Sequence, residues 1–501
     1  MSMKQHFSPG SSARAVLALL AFPLGACTLL TNRNDQCRVD SDCTSFGGHP
    51  YCRGGICVAS GLGPPGCMLG DPQSPADFAN SCTTAQNVPF DNCGRLGMCS
   101  ADAGIPETLA APANLGAVPP LVNSQPPPAI TCADPARPNL IYVTGSTNFP
   151  PLLQAVAPLL AANNPPYTVV FQPQTSCKGA GSMFEADRNK RVLRDIPNNW
   201  AFFYDGDGTK HTCLLDPDGD PVDVGESDVY ARTCGYETSA GVADYPGPIQ
   251  AITFVVPAAS SQRAISAEAA HVLFGMGGNQ GAVAPWSDPK LFFVRSSGTG
   301  TIQLTSRAIG VPANAWWGID RLSSDNVRDS MEAVDPSSAE RAIGVLSSDF
   351  ADRDRANLRV LYFQAAGQSS GYLPDSSATS FDKANVRDGH YPIWGPIHLY
   401  ATTVNGVPSP AADALVRRFS VPKLEQKLLD AIVGSGYVPA CAMRVKRDQE
   451  MGPLSSFQPH FGCGCYYESR VNGRSACQAC AGPADCPTNR PACNYGFCEV
   501  E

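Results

Sequence analysis

The sequence is poor in charge and in histidine, and it lacks long apolar runs. Charged residues make up 16% of the 501 residues, against roughly 25% in an ordinary soluble domain. The formal net charge of −9 argues against a protein that holds nucleic acid through a general basic field. The seven histidines are scattered singly, which disfavours a zinc enzyme. No segment has 18 consecutive apolar residues, so no transmembrane helix is predicted.

Cysteine, glycine and proline are abundant by contrast. The 46 glycines and 45 prolines predict many turns and loops. The 21 cysteines are too many for a reduced cytosolic protein and indicate an oxidising compartment. The length exceeds that of one ordinary domain, so several compact units are expected. Because 21 is an odd number, one cysteine should have a different fate from the others.

The N-terminus suggests that fate. Residues 15–24 form an apolar stretch behind two basic residues, too short to span a bilayer, which predicts a secretion signal. The stretch ends in Leu24-Gly25-Ala26-Cys27, which resembles a bacterial lipobox. We therefore expect residues 1–26 to be removed, leaving a formal charge of −11. Lipid on Cys27 would anchor the protein to the extracytoplasmic side of the bacterial cell envelope, at the outer membrane or on the periplasmic face. The alternative is an ordinary signal peptide followed by a structural cysteine.

Two short cysteine-rich modules are predicted, at residues 27–60 and 456–501. Four cysteines are separated by five, eight and four residues in the first and by five, six and four in the second. They are Cys37, Cys43, Cys52 and Cys57, and Cys480, Cys486, Cys493 and Cys498. Each module has too little apolar sequence to fold without cross-links. We interpret them as two copies of one disulfide knot and not as zinc sites, because neither has a histidine pattern. The pairing cannot be deduced from the spacing.

Between the modules, the sequence changes character at about residue 139. Residues 61–138 are rich in proline and cysteine and predict an extended spacer. Residues 139–455 alternate apolar strands with helices, which predicts an α/β domain with a parallel sheet. Its expected strands are 140–143, 167–171, 222–224 and 251–256, and its expected helices include 150–162 and 264–274. Functional loops should lie at the carboxyl ends of the strands.

Four polar loops follow predicted strands in this domain. They comprise residues 145–150, 175–181, 225–228 and 295–301. Glycines, hydroxyls and exposed N–H groups at helix N-termini are what an anion requires, and Arg295 adds a planar and permanent charge. One such loop alone is also ordinary turn chemistry. The order and spacing of all four predict an anion site.

Six motifs occur along this domain in a fixed order: Asn148-Phe149-Pro150, Phe171-Gln172 followed by Ser176, Gly225-Glu226-Ser227-Asp228, Trp286-Ser287-Asp288-Pro289, residues 295–301 and residues 434–439. Together they resemble the phosphate-binding protein of high-affinity phosphate ABC transporters. The resemblance covers residues 139–450 and implies a two-lobed type-2 periplasmic binding protein fold. Its first lobe would be residues 139–250 and 405–455, and its second lobe residues 251–404. Small disulfide-rich modules would flank it at both ends.

The resemblance implies a ligand site between the lobes. Its residues would be Asn148, Phe149 through its backbone N–H, Ser176, Asp228, Arg295, Thr299, Gly300 and Thr301. Arg295 would balance the charge of an oxyanion. Asp228 would select phosphate over sulfate, since hydrogen phosphate can donate a proton to a carboxylate and sulfate cannot.

Several residues depart from the family pattern. Asn148 stands where the family commonly has a hydroxyl residue, and Cys177 and Lys178 replace small residues. Ser297 stands where many members have an aspartate that orients the arginine. The added charge and the missing carboxylate predict a more positive pocket, which favours oxyanion binding in general over strict phosphate selectivity.

The leading hypothesis is a membrane-anchored solute-binding lipoprotein that captures phosphate or a related oxyanion for ABC-type uptake or sensing. An ABC permease is a candidate partner, and neither a cofactor, a metal nor nucleic acid is expected. The alternative is a cell-surface interaction or adhesion protein that uses its cysteine modules. Hydrolysis of phosphate esters is a weaker option, because no base or metal cluster is evident. The Gly-x-Ser-x-Gly pattern at 367–371 is interpreted as a loop, since no helix follows it.

Overall fold

A computed structural model describes residues 74–89, 107–110, 128–196, 199–278 and 283–500, with short pieces at 51–53, 56–58, 62–63, 67–68 and 72. The predicted signal peptide, the lipidation site Cys27 and the first two cysteines of the N-terminal module lie outside these residues. The chain divides into two compact units, one of residues 1–72 and 80–83 and one of residues 73–79 and 84–501.

The small unit contains two antiparallel hairpins. Its strands are β1 (Tyr51–Arg53), β2 (Ile56–Val58), β3 (Leu62–Gly63) and β4 (Cys67–Met68). β1 pairs with β2, and β3 pairs with β4. Cys52 lies opposite Cys57 in the first hairpin. A disulfide joins Cys67 to Cys82, as expected where the apolar core is too small to hold a fold alone.

Two elements precede the lobes of the large unit, α1 (Pro75–Asn80) and β5 (Asn87–Pro89). The first α/β lobe then comprises β6 (Leu140–Ser146), α2 (Pro150–Ala161), β7 (Thr168–Gln174), α3 (Ser176–Phe184), β8 (Val192–Leu193), β9 (Ala201–Tyr204), β10 (Lys210–Cys213), β11 (Asp220–Pro221) and β12 (Val224–Ser227). β6 pairs in parallel with both β7 and β12, so the carboxyl ends of the three strands meet. α2 starts with two prolines, whose fixed φ suits a first helical turn, and it buries Leu152, Val156 and Leu160.

A long strand then leads into the second lobe. Its elements are β13 (Val242–Pro257), β14 (Ala264–Ser266), α4 (Ala267–Met276), β15 (Phe292–Val294), α5 (Gly300–Ile309), β16 (Ile319–Asp320), α6 (Ser324–Glu332), β17 (Ile343–Ser347), α7 (Ser348–Arg353), β18 (Leu358–Val360), β19 (Tyr362–Gln364), β20 (Ser370–Tyr372) and α8 (Ala384–Asp388). β15 lies between β16 and β17 and is parallel to both. Arg295 therefore follows a parallel strand, as Asp228 does in the first lobe.

A second long strand returns the chain to the first lobe. The remaining elements are β21 (Trp394–Val404), β22 (Val407–Pro408), α9 (Pro410–Ser420), α10 (Gln426–Gly434), β23 (Val445–Lys446), β24 (Ser455–Ser456), α11 (Gly464–Asn472), β25 (Ala492–Asn494) and β26 (Phe497–Glu499). β13 and β21 pair antiparallel, with a register shift between Pro246 and Ile249. The strand order is β10-β9-β7-β6-β12-β21-β13-β17-β15-β16. The two-lobed α/β fold class that the sequence predicts is confirmed, and the structure adds that the long strands β13 and β21 connect the lobes.

Several predicted element boundaries were wrong. The first strand continues through 144–146, and β13 starts nine residues earlier than the predicted strand at 251. Residues 264–266 form a strand and not the first turn of a helix, because Ser266 caps the helix that follows by accepting from the Ala269 N–H. Most of the predicted loop 175–181 is the start of α3, with Thr175 as its N-cap.

The predicted spacer packs on the lobes in its described parts. β5 adds an edge strand to β20, within a four-stranded sheet that also holds β14 and β19. The Leu109 N–H donates to the Gly275 carbonyl oxygen. Cys132 is disulfide-bonded to Cys213 of β10. This packing differs from the extended spacer that the prolines predict, because pairing of β5 with β20 and the disulfide from Cys132 to β10 hold the described parts of the segment to the lobes.

The C-terminal cysteines form disulfides and are continuous with the first lobe. The pairs are Cys441–Cys463, Cys465–Cys477, Cys480–Cys493 and Cys486–Cys498. The disulfide interpretation of the second knot is therefore confirmed. In the β25–β26 hairpin Cys493 lies opposite Cys498, the register that Cys52 and Cys57 have in β1–β2. α11 contacts α10, and the Tyr466 hydroxyl accepts from Gln426 Nε2 at 2.6 Å.

Cysteines are distributed unequally between the lobes. No cysteine occurs between Cys234 and Cys441, so the second lobe from β14 to α8 has none. Within the first lobe, Cys177 and Cys234 form a further disulfide. Across the described ranges, no helix has the length and apolar character needed to cross a bilayer.

Candidate functional site

Four strand ends meet where the two lobes face each other. β6 ends at Ser146, β7 leads to Thr175, β12 leads to Asp228 and β15 leads to Arg295. All eight residues that the resemblance implies are buried: Asn148, Phe149, Ser176, Asp228, Arg295, Thr299, Gly300 and Thr301. The carboxyl edges of parallel strands are the usual ligand position in open α/β sheets.

Ser176, Asp228 and Gly300 form the contact between the lobes at this point. Ser176 Oγ donates to Asp228 Oδ2 at 3.0 Å and accepts from the Gly300 N–H at 2.9 Å. A Cβ on Gly300 would lie 2.5 Å from the Cβ of Asp228 and 2.8 Å from Ser176 Oγ. The second lobe can approach this closely only because residue 300 has no side chain.

Arg295 is buried and reaches both lobes. Its Nη1 donates to Ser324 Oγ of the second lobe at 2.5 Å, and its Nη2 donates to Thr147 Oγ1 of the first at 3.4 Å. Burial lowers the pKa of the guanidinium to about 10, while three carboxylates act in the opposite direction. They are Asp320, Asp228 and Asp325.

Carboxylates near Arg295 oppose the more positive pocket that the sequence predicts. Ser297 carries no carboxylate, but Asp320 and Asp325 supply negative charge near Arg295 from other positions of the second lobe. Asp320 also accepts from Ser296 Oγ at 2.7 Å. Lys178 is exposed on α3, where water screens its charge.

Thr299, Gly300 and Thr301 build the N-terminus of α5. Thr299 is the N-cap, and its hydroxyl donates to the Ser296 carbonyl oxygen at 2.7 Å and accepts from the Ile302 N–H at 3.4 Å. Gly300 and Thr301 are the first two residues of the helix, where backbone N–H groups have no acceptor within the helix. A partial positive charge at this end favours an anion.

Asn148 and Phe149 have different roles. The Asn148 side chain donates to Gln250 Oε1 at 3.4 Å, and the Tyr437 hydroxyl donates to the Asn148 carbonyl oxygen at 2.7 Å. Phe149 packs its ring in the core beside Phe171, and its N–H donates to the Ser146 carbonyl oxygen at 3.2 Å. The predicted ligand contact of the Phe149 N–H would have to share this donor.

Glu226 is the residue that sequence reasoning missed. It is fully buried, and its Oε2 accepts from the Ser146 N–H at 2.5 Å. Burial raises the pKa of this carboxyl well above its usual range, and the charge of Asp228 raises it further. Alternation along β12 could have revealed it, because residues 226 and 228 must project to the same face of the strand.

Burial also raises the pKa of Asp228, although the hydrogen bond from Ser176, the nearby Ser146 side chain and the charge of Arg295 act against this shift. Four buried polar atoms of the site have no hydrogen-bond partner among the described residues. They are Asn148 Oδ1, Glu226 Oε1, Asp228 Oδ1 and Arg295 Nε. Buried polar atoms normally have partners. This set of one donor and three acceptors is suited to a small polar ligand.

A disulfide connects the start of α3 to the segment that follows Asp228. Cys177, next to Ser176, is bonded to Cys234 at the end of the 3-10 helix Ala231–Cys234, which follows Asp228 closely. The Cys177 N–H also donates to the Gly298 carbonyl oxygen of the second lobe at 3.0 Å. The disulfide fixes the α3 start relative to the segment that carries Asp228.

Comparisons with known proteins give distant similarities. No protein-family profile matches the chain, and no curated protein matches it. A solved phosphate ABC transporter substrate-binding protein from Clostridium perfringens, with bound phosphate, is 12% identical with a TM-score of 0.41, and the match covers 60% of this chain and 100% of that one. An ABC-type phosphate transport receptor from Vibrio cholerae is 14% identical with a TM-score of 0.38, covering 60% and 99%. The reduced regulatory domain of OxyR from Pseudomonas aeruginosa is 10% identical with a TM-score of 0.31, covering 55% and 96%.

Proposed function

We propose that this protein is a solute-binding protein that captures phosphate or a related oxyanion between its two lobes. The observation that carries the proposal is the convergence of Ser176, Asp228, Gly300 and Arg295 from both lobes at buried strand ends. Arg295 supplies the positive charge, and the N-terminus of α5 supplies oriented N–H groups. Closure of the lobes would remove the anion from water and strengthen both interactions.

The mixture of donors and acceptors favours an oxyanion that carries a proton. Arg295 Nε is an unpartnered donor, whereas Asp228 Oδ1 is an unpartnered acceptor. A protonated oxyanion can donate to Asp228 and accept from Arg295 at once. A fully ionised oxyanion such as sulfate would meet a carboxylate without a proton between them, which costs binding free energy.

Calorimetry with the protein lacking its lipid tests the proposal. Phosphate should bind, sulfate should bind at least about tenfold more weakly, and Arg295→Ala should weaken phosphate binding by at least about tenfold, since a hydrogen bond to a charged group contributes roughly 1.5–3 kcal/mol. Arg417→Ala removes an exposed arginine of α9 and is the matched control. Unchanged phosphate affinity in Arg295→Ala, or no phosphate binding at millimolar concentration, would refute the proposal.

The cellular setting belongs to the same proposal. A lipid on Cys27 would hold the receptor at the extracytoplasmic face of a bacterial membrane. An ABC permease would be the partner that accepts the captured anion. Mass spectrometry of the native protein, with Cys27→Ser as the comparison, tests the anchor, because only the wild type should carry the mass of a lipid on residue 27.

A further inference from the structure

Glu226 and Asp228 bring two carboxyl groups together at the ligand site. Glu226 lies in β12 and Asp228 directly follows the strand, both are buried, and their side chains interact. A Cβ on Gly145 would lie 2.3 Å from Glu226 Oε2, so the glycine leaves the space that this side chain occupies. On the other side, the Glu226 backbone carbonyl packs against Gly179 of α3.

The hydrogen bonds leave one oxygen unpartnered on each carboxyl. Glu226 Oε2 accepts from the Ser146 N–H, and Asp228 Oδ2 accepts from Ser176 Oγ, whereas Glu226 Oε1 and Asp228 Oδ1 have no donor among the described residues. Two ionised carboxylates in contact repel each other, and a buried acceptor without a donor is costly. A single proton held between the two groups removes the repulsion and gives both groups a hydrogen bond.

We propose that Glu226 is a specificity-determining residue of the oxyanion site and holds a proton that it shares with Asp228. The inference rests on the proposed function for its ligand. With the proton in place, the carboxyl pair carries one negative charge instead of two, so the attraction of Arg295 for an anion meets less repulsion and an anion can enter. When the proton leaves, the pair carries two negative charges and repels the anion. The site therefore accepts a protonated oxyanion and rejects it as the pH rises.

The surroundings of the pair contain few other titratable groups. Arg295 and the buried Tyr437 hydroxyl act on the two carboxyls electrostatically. On the neighbouring strand β21, apolar Leu399 lies opposite Glu226. His398 lies opposite Ser227 and is paired with Asp244 at 2.8 Å. α3 contributes the backbone of Gly179, and Lys178 on the same helix is exposed. Nearby Asp349 acts on Tyr437.

Phosphate calorimetry with Glu226→Gln at about pH 6 and about pH 8 tests the inference. The amide can donate to Asp228 without titrating, so the variant should bind phosphate at least about threefold more tightly than the wild type at about pH 8, where repulsion by a second carboxylate charge is removed. The two proteins should bind similarly at about pH 6. Phosphate itself also titrates in this range, but it does so equally with both proteins, so the ratio of their affinities is unaffected. Glu237→Gln, at an exposed position, should behave as the wild type.

A second measurement without ligand separates this inference from the proposed function. A carboxyl with a raised pKa binds its proton more tightly in the folded state, so its contribution to stability is lost as the pH rises. The melting temperature of Glu226→Gln should therefore exceed that of the wild type increasingly from about pH 5 to about pH 8. If this difference appears and phosphate binds neither protein, the shared proton stands and the proposed ligand is wrong. Parallel melting curves and identical pH profiles of binding would overturn the shared proton.

Discussion

The Gly300 N–H of the second lobe donates to Ser176 Oγ of the first lobe, and the same Ser176 hydroxyl donates to Asp228. The hydroxyl therefore joins a helix N-terminus in one lobe to a buried carboxylate in the other. Donor and acceptor roles are both used, so neither lobe can be displaced sideways without breaking a hydrogen bond. This contact defines the closed position of the lobes.

Gly300→Ala should prevent this closure. The new Cβ would lie 2.5 Å from the Cβ of Asp228 and 2.8 Å from Ser176 Oγ, at the start of α3. Both side chains are buried, so neither has room to move away. Overpacking of this kind costs roughly 1–3 kcal/mol, so phosphate affinity should fall about 10- to 100-fold. Isothermal titration calorimetry measures the change directly.

Gly434→Ala is the matched control for that variant. Gly434 ends α10, and a Cβ there would meet no atom within 4 Å. The control should bind phosphate as the wild type does, with unchanged or slightly raised stability, because alanine favours helix over glycine. Equal affinities of Gly300→Ala and the wild type would show that the closed contact is not part of binding.

The disulfide Cys177–Cys234 should stabilise the first lobe and position Ser176. The double variant Cys177→Ala/Cys234→Ala should lose about 2–4 kcal/mol of unfolding free energy, the usual contribution of a disulfide that closes a long loop. Phosphate affinity should fall as well, since Ser176 adjoins Cys177. Denaturant unfolding and calorimetry test the two effects. Cys465→Ala/Cys477→Ala, in the C-terminal segment, should lower stability while leaving affinity unchanged.

Asp349 should also make the stability of the protein depend on pH. It is buried in α7, and burial raises its pKa to about 6. Because the folded state holds this proton more tightly, the contribution of the group to stability is present below about pH 4 and is lost as the pH rises to about 6. Asp349→Asn should therefore be more stable than the wild type by up to about 3 kcal/mol at pH 7 and equal to it at about pH 4. Thermal unfolding across this pH range tests the prediction. A constant difference in stability between Asp349→Asn and the wild type would contradict it.

The two cysteine knots should share their disulfide pairing. In the C-terminal knot the first cysteine pairs with the third and the second with the fourth. The N-terminal knot has the same cysteine order, and its hairpin places Cys52 opposite Cys57 as the other places Cys493 opposite Cys498. We expect disulfides Cys37–Cys52 and Cys43–Cys57. Peptide mapping without reduction identifies the linked peptides, and a Cys37–Cys43 or Cys52–Cys57 link would contradict the repeat.

The sequence is most informative where local patterns decide the structure. α2 is predicted almost to the residue, because proline starts it and apolar residues recur at helical spacing. Glycine and hydroxyl residues after apolar strands identify the four polar segments, but most of 175–181 is helix α3 and residues 225–227 belong to strand β12. Their convergence from two lobes comes from the resemblance of motif order, since no local pattern specifies which strand ends meet.

Long-range contacts account for what sequence reasoning missed. β13 extends to Val242 because β21 offers a pairing partner from a position more than 150 residues away, and local propensity does not report such a partner. Asp320 and Asp325 lie near Arg295 only through the fold of the second lobe. Glu226 could have been found from strand alternation, but a carboxylate beside an anion site contradicts simple charge matching.

The distribution of cysteines has a consequence for how redox conditions affect this protein. Since residues 235–440 contain no cysteine, no intramolecular disulfide can tie the second lobe to the first. Disulfides therefore constrain the lobe that holds Ser176 and Asp228 together with the small unit and the C-terminal segment. The second lobe is held by non-covalent contacts alone, among them the ion pair of Arg387 with Glu468 of the C-terminal segment. Reduction would lower the stability of the first lobe and leave the covalent structure of the second lobe unchanged.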